Sequence, residues 1–184
     1  MKRIITGLIL SVVLAGCGGS GQESAQNAPV FFTAMLWNVQ ALFDGHDSGN
    51  EYAEFREAAG WTAEKYQARL TAISQAVQQM AESAKAAPGL IGFVEVENAG
   101  VLEDLAGGTL SKQGYYWTAF TGLPGYSLGI GFLSRFPITD TRAHSITVEN
   151  VTAPRPVLEV RVEPREKPLV FLLCHWKSKL GNDT

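Results

Sequence analysis

Cysteine is nearly absent: Cys17 and Cys174 are the two that occur in 184 residues, which excludes a small disulfide-stapled fold and leaves stability to a packed core. A basic surplus is also missing. Fifteen Lys and Arg against 18 Asp and Glu give a formal charge of -3, so no general positive field exists, and a nucleic acid would have to be held by a local cluster or a bound metal. No apolar run reaches the roughly 20 residues of a membrane-spanning helix. Repeats are lacking too, and no internal linker divides the body. What is present is a hydrophobic share of 46% with 18% charged residues, the balance of a globular chain with one sizeable core.

The amino terminus has the layout of a secretion leader: Lys2 and Arg3, then an apolar run from Ile4 to Gly16. It closes on Leu14-Ala15-Gly16-Cys17, which resembles a bacterial lipobox. That resemblance implies cleavage before an acylated Cys17, which anchors the protein to a bacterial membrane, facing the periplasm or the cell exterior. Residues 1–16 are then a lipoprotein signal peptide, 17–29 a Gly/Ser/Gln-rich flexible tether, and 30–184 the body. An acylated Cys17 offers no thiol, so no internal disulfide is expected. Cys174, inside the apolar run Leu169–Cys174, reads as a small core residue.

Within the body, Val30–Val39 reads as a strand and 45–60 as an irregular surface connection. Tyr66, Leu70, Ile73, Val77 and Met80 recur at spacings of three and four, which predicts an amphipathic helix capped by Thr62 and ended by Pro88-Gly89. Leu90–Val96 follows as a strand buried on both faces, so the three elements suggest a crossover unit. A short helix over 98–110 comes next. Tyr115–Thr121 and Tyr126–Ser134 flank Gly122-Leu123-Pro124-Gly125 as a hairpin, and Val157–Val162 pairs with Pro168–Cys174 around a charged turn. The body is one α/β unit.

Polar groups stand at the ends of these apolar strands, where a sheet edge gathers side chains into one pocket. Asn38 ends the first strand, Glu95 the second and His175 the last. A carboxylate inside Gly92-Phe93-Val94-Glu95-Val96 is costly to bury without a cation or hydrogen bonds, which suits a metal ligand; it equally suits an acid exposed at a strand end. Asn38 adds an amide oxygen to a hard-ion shell or simply caps a turn. His175, followed by Trp176-Lys177-Ser178-Lys179, suits a phosphate-facing imidazole or a satisfied structural histidine. The residues alone leave these alternatives open.

Four segments, in order, resemble successive motifs of the endonuclease/exonuclease/phosphatase superfamily: Trp37-Asn38-Val39-Gln40-Ala41-Leu42-Phe43-Asp44, Gly92-Phe93-Val94-Glu95-Val96-Glu97-Asn98, Gly125–Arg135, and Cys174-His175-Trp176-Lys177-Ser178-Lys179. The resemblance implies a deoxyribonuclease-like two-sheet α/β sandwich and hydrolysis of a phosphoester by water with Mg²⁺, Mn²⁺ or Ca²⁺. By the same resemblance, Asn38 and Glu95 would hold the metal and His175 would be catalytic at the scissile phosphate. Arg155, Tyr126 and Lys177 would line the phosphate or substrate groove. The implied activity is an extracytoplasmic nuclease; a phosphatase, a sphingomyelinase-like phosphodiesterase or a non-catalytic lipoprotein module of the same fold are the alternatives. Nothing points to an oligomer. A full member also carries an Asp-x-Asn pair and a later Asp-His pair, and neither lies in the nine residues after His175. The chain is therefore expected to be the first part of the domain, inactive alone.

Overall fold

The computed structural model describes residues 7–14, 30–108, 110–148, 151–152, 155–164 and 168–176. Its first elements are β1 (Gly7–Leu14), β2 (Val30–Leu42), α1 (Ala63–Ser83) and β3 (Leu90–Val96). β2 and β3 are parallel, with Ala34 opposite Leu90 and Asn38 opposite Val94, and α1 is the crossover that a parallel pair requires. The Thr62 hydroxyl accepts from the Lys65 amide at the helix start, and the expected stripe of Tyr66, Leu70, Ile73 and Val77 is buried. Lys85, at φ 56, breaks the helical path just after the last turn.

α2 (Ala99–Gly107) is capped by Asn98, whose side chain accepts from the Val101 amide. β4 (Trp117–Thr121) and β5 (Gly129–Ser134) form the expected hairpin, with Trp117 opposite Ser134 and Thr121 opposite Ile130. Its connection spans 122–128, longer than the four-residue turn read from sequence. β6 (Ile138–His144), β7 (Thr147–Val148), β8 (Val151–Thr152), β9 (Val157–Val162) and β10 (Leu169–Leu173) complete the order. β9 and β10 are antiparallel as expected. β6 has no counterpart in the sequence reading, because Thr139, Asp140, Thr141 and Arg142 show no apolar alternation; its pairing with β9 makes it a strand.

Two sheets result, of order β1-β2-β3-β5-β4 and β10-β9-β6, with β7 and β8 as a separate pair. Side-chain alternation along the first sheet builds two cores. On one face Met35, Trp37, Ile91, Phe93 and Leu133 pack with Leu70, Val77, Leu102 and Leu105 of the helices. On the other, Phe32, Leu90, Val94, Ile130 and Phe132 meet Leu158, Val160, Val162 and Leu173 of the second sheet. The mixed α/β sandwich read from the sequence is the observed architecture.

Residues 7–14, the apolar stretch of the expected leader, run antiparallel to β2, from Gly7 opposite Trp37 to Leu14 opposite Val30. Cys17 and the tether lie outside the described residues. The connection after β2 is more ordered than an irregular surface loop, holding single 3-10 turns at Ala53–Phe55 and Glu57–Ala59. Phe43 is fully buried, with Tyr52 and Phe55 against it, and Glu51 is 2% exposed.

Candidate functional site

Asn38 and Glu95 stand at the carboxyl ends of two adjacent parallel strands, the end of an open α/β sheet where ligands gather. The pairing of β2 with β3 is regular up to Asn38 opposite Val94 and resumes at Leu42 opposite Val96. Residues 39–41 bulge out of one strand against Glu95 alone in the other. Gln40, Ala41 and Glu95 all take positive φ, at 56, 58 and 66, a region that costs a non-glycine residue about 1–2 kcal/mol. The bulge turns side chains and amides toward one another. Asn38 Nδ2 donates to Glu95 Oε1 at 2.8 Å, the Ala41 amide donates to Oε2 at 3.0 Å, and the Gln40 amide donates to Asn38 Oδ1 at 2.8 Å.

The second sheet supplies the other half. Leu173 of β10 lies opposite Leu158 of β9, so the residues after β10 and before β9 emerge at the same end. His175 and Arg155 occupy those places, and Arg155 Nη1 donates to the Trp176 carbonyl at 2.9 Å. His175 Nε2 lies 3.4 Å from Glu95 Oε1, with 17% and 24% of the two side chains exposed. Glu95 is thus less enclosed than an acid in a strand buried on both faces would be, because the bulge aims it outward at the strand end. Burial, aided by the Arg155 charge and opposed by Glu95, pushes the His175 imidazole below its ordinary range.

The structure therefore brings Asn38, Glu95, His175 and Arg155 into one cluster. Tyr126 lines a separate shallow cleft of about 260 Å³ with Ser48, Asn50, Glu97, Asn98, Gly125 and Ser127, and the residue is 55% exposed. Lys177 lies outside the described residues. Among the described residues, no three His, Cys, Asp or Glu side chains converge to cage a metal.

Three contributors escape the strand-end reading. Arg69 of α1 donates to the carbonyls of Ala41, Val39 and Gln40 at 2.9, 2.6 and 2.5 Å. Its signal was its place three residues after Tyr66 and four before Ile73, a cation on the buried stripe. Asp44 and Glu97 form a second acidic layer: the Asp44 amide donates to Glu97 Oε2 at 2.7 Å and Asn98 Nδ2 donates to Asp44 Oδ2 at 3.0 Å. Burial, opposed by that amide and reinforced by the carboxylates of Asp44 and Glu51, pushes Glu97 up to about 7.

No curated protein matches the chain. Four chains of solved structures do. One is the human Nocturnin catalytic domain with bound sulfate anion, 16% identical, with a TM-score of 0.47 over 80% of this chain and 51% of that one. The chain thus spans about half the length of that domain. A family model described as Endonuclease/Exonuclease/phosphatase family matches residues 33–184, and with most of its length inside that match the chain belongs to this family.

Proposed function

We propose that this chain supplies the metal-holding and phosphate-facing part of a divalent-metal-dependent phosphodiester hydrolase, acting outside the cytoplasm, with nucleic acid as its first substrate class. The observation that carries the reading is the single cluster of Asn38, Glu95 and His175, drawn from two strands of one sheet and the end of a third strand in the other. Enzymes of this family generally use divalent metal ions. The donors here fit a hard one: two carboxylate oxygens of Glu95 and the amide oxygen of Asn38 each accept one N–H and keep a lone pair, which suits an ion such as Mg²⁺ that retains several waters. Mn²⁺ or Ca²⁺ takes the same oxygen donors.

When bound, the ion supplies Lewis-acid neutralisation of phosphoryl charge. Glu95 and Asn38 hold it. His175 would donate an N–H to the phosphoryl oxygen beside Glu95 and stabilise the charge that develops there. Arg155 spends one of its five N–H donors on the Trp176 carbonyl and keeps the rest for phosphate. The anchor at an acylated Cys17, and with it the membrane as a partner, rests on the sequence alone.

The test is hydrolysis of plasmid DNA, RNA, bis-nitrophenyl phosphate and sphingomyelin across a Mg²⁺ titration, using this chain and one extended by its downstream reading frame. Glu95→Gln is expected to lower turnover at least ~10²-fold, as when a group that orders charge at the reacting centre is removed. His175→Ala should do likewise with the fold retained. A Glu95→Gln enzyme at the unaltered rate rejects the metal assignment, and cleavage of sphingomyelin with nucleic acids untouched replaces the substrate class.

A further inference from the structure

We propose that Arg69, on α1 and outside the hydrolytic cluster, is a positioning residue that locks the 39–41 bulge and thereby sets how tightly the Asn38–Glu95 pair holds a divalent cation. Its effect on metal binding rests on the function proposed above; its mechanical effect rests on the geometry alone. The bulge is expensive in two ways. Gln40 and Ala41 are both left-handed, about 1–2 kcal/mol each, and the carbonyls of Val39, Gln40 and Ala41 leave the β2–β3 ladder together, where buried and unpaired they would be costly. Such strain persists only where the surroundings over-determine it.

Arg69 meets that requirement with one planar group, its Nη1 on Ala41 and its Nη2 on Val39 and Gln40. A lysine has the charge but no rigid fork to span three carbonyls. The guanidinium is itself held, 5.6 Å over the Phe55 ring. On the far side of the same peptide units, the Gln40 and Ala41 amides point at Asn38 Oδ1 and Glu95 Oε2. Fixing the carbonyls on one side therefore fixes the amides on the other, and through them the two oxygen donors.

Two effects of Arg69 on a bound cation have opposite signs. As a bare charge it repels the ion, so its removal would tighten binding. As a clamp it preorganises the donors, so its removal would weaken binding; loss of such outer partners typically weakens a metal site about 10–100-fold. The variants Arg69→Lys, which keeps the charge and loses the fork, and Arg69→Met, which loses both, separate them. Mn²⁺ titrated into the full chain and followed by electron paramagnetic resonance should show both variants weakened about tenfold or more. Amide hydrogen exchange should quicken about tenfold or more at Gln40 and Ala41, with Ile91 and Val77 in the core unchanged. Binding as tight as, or tighter than, that of the unmodified chain in either variant overturns the clamp. If the unmodified chain binds no Mn²⁺, the proposed function fails instead, and exchange still decides: unchanged protection at Ala41 in both variants overturns the mechanical role.

Discussion

At the scale of single residues, three glutamates of one neighbourhood are set to different tasks by the donors around them. Glu95 adopts a left-handed backbone and receives donors on both carboxylate oxygens, which directs it at the cluster end of β3. Glu97, two residues on, is pushed up to about 7 by burial and the carboxylates of Asp44 and Glu51, against the opposing Asp44 amide. Glu51 is as buried as a core side chain, yet burial is outweighed by the Ser48 hydroxyl and the Ser48 and Gly49 amides, which hold it from 4.5 down to about 2. A carboxyl whose folded pKa is depressed adds stability that is present above its unfolded value and lost as pH falls through the folded value. Glu51→Gln keeps the size and one acceptor but loses the charge. It should lower stability by about 2 kcal/mol near pH 7, the worth of hydrogen bonds to a charged group, with the difference from the unmodified chain shrinking between pH 4.5 and about 2. Urea melts at a series of pH values check this; a difference independent of pH would show that packing, not ionisation, holds the 48–51 turn.

At the scale of elements, Asn98 joins two jobs at the junction of β3 and α2. Its side-chain oxygen caps α2 at the Val101 amide, 3.1 Å away, and its nitrogen donates to Asp44 Oδ2. Asn98→Ala should cost about 1–2 kcal/mol, mostly the cap. Asn98→Asp retains a good capping acceptor but sets a third carboxylate beside Asp44 and Glu97. It should therefore be no more stable than the Ala variant at pH 8 and recover toward the Asn chain near pH 4, read from thermal melts; an Asp variant as stable as Asn at pH 8 would show that the Asp44 contact contributes little. The same elements show what a sequence makes legible. α1, β3 and the β9–β10 pair could be read because apolar period and run length survive without knowledge of neighbours. β6 could not, since a mostly polar strand exists through its partner β9. Asn38, Glu95 and His175 were visible as polar residues at strand ends, but their meeting depends on β2 and β3 being adjacent and on which end of the second sheet faces them. Arg69 and the 39–41 bulge were hidden for a related reason: a left-handed turn without glycine carries no local signal when its support comes from a helix 28 to 30 residues away.

At the scale of the whole molecule, residues 7–14 have two incompatible uses. As β1 they cover one edge of β2 along Val30–Trp37; as part of a leader cleaved before Cys17 they leave the mature protein. Phe32, Met35 and Trp37 of β2 also pack through its faces, against α1, β3 and the second sheet. Loss of β1 would remove ladder hydrogen bonds on one side and open an edge strand. No helix among the described residues is long and apolar enough to cross a membrane; the anchor we propose is the acylated Cys17. The prediction is that the protein made in a bacterium fractionates with membranes, and that its mass corresponds to a chain beginning at an acylated Cys17. Cys17→Ser should instead retain residues 1–16 or leave the membrane fraction. A chain begun at Gly18 should melt cooperatively within about 3 °C of the full chain, a change of about 1 kcal/mol for a body of this size. Non-cooperative melting of that chain, or an unmodified chain recovered from the soluble fraction with its first sixteen residues in place, would make β1 a permanent strand of the sheet and remove the anchor.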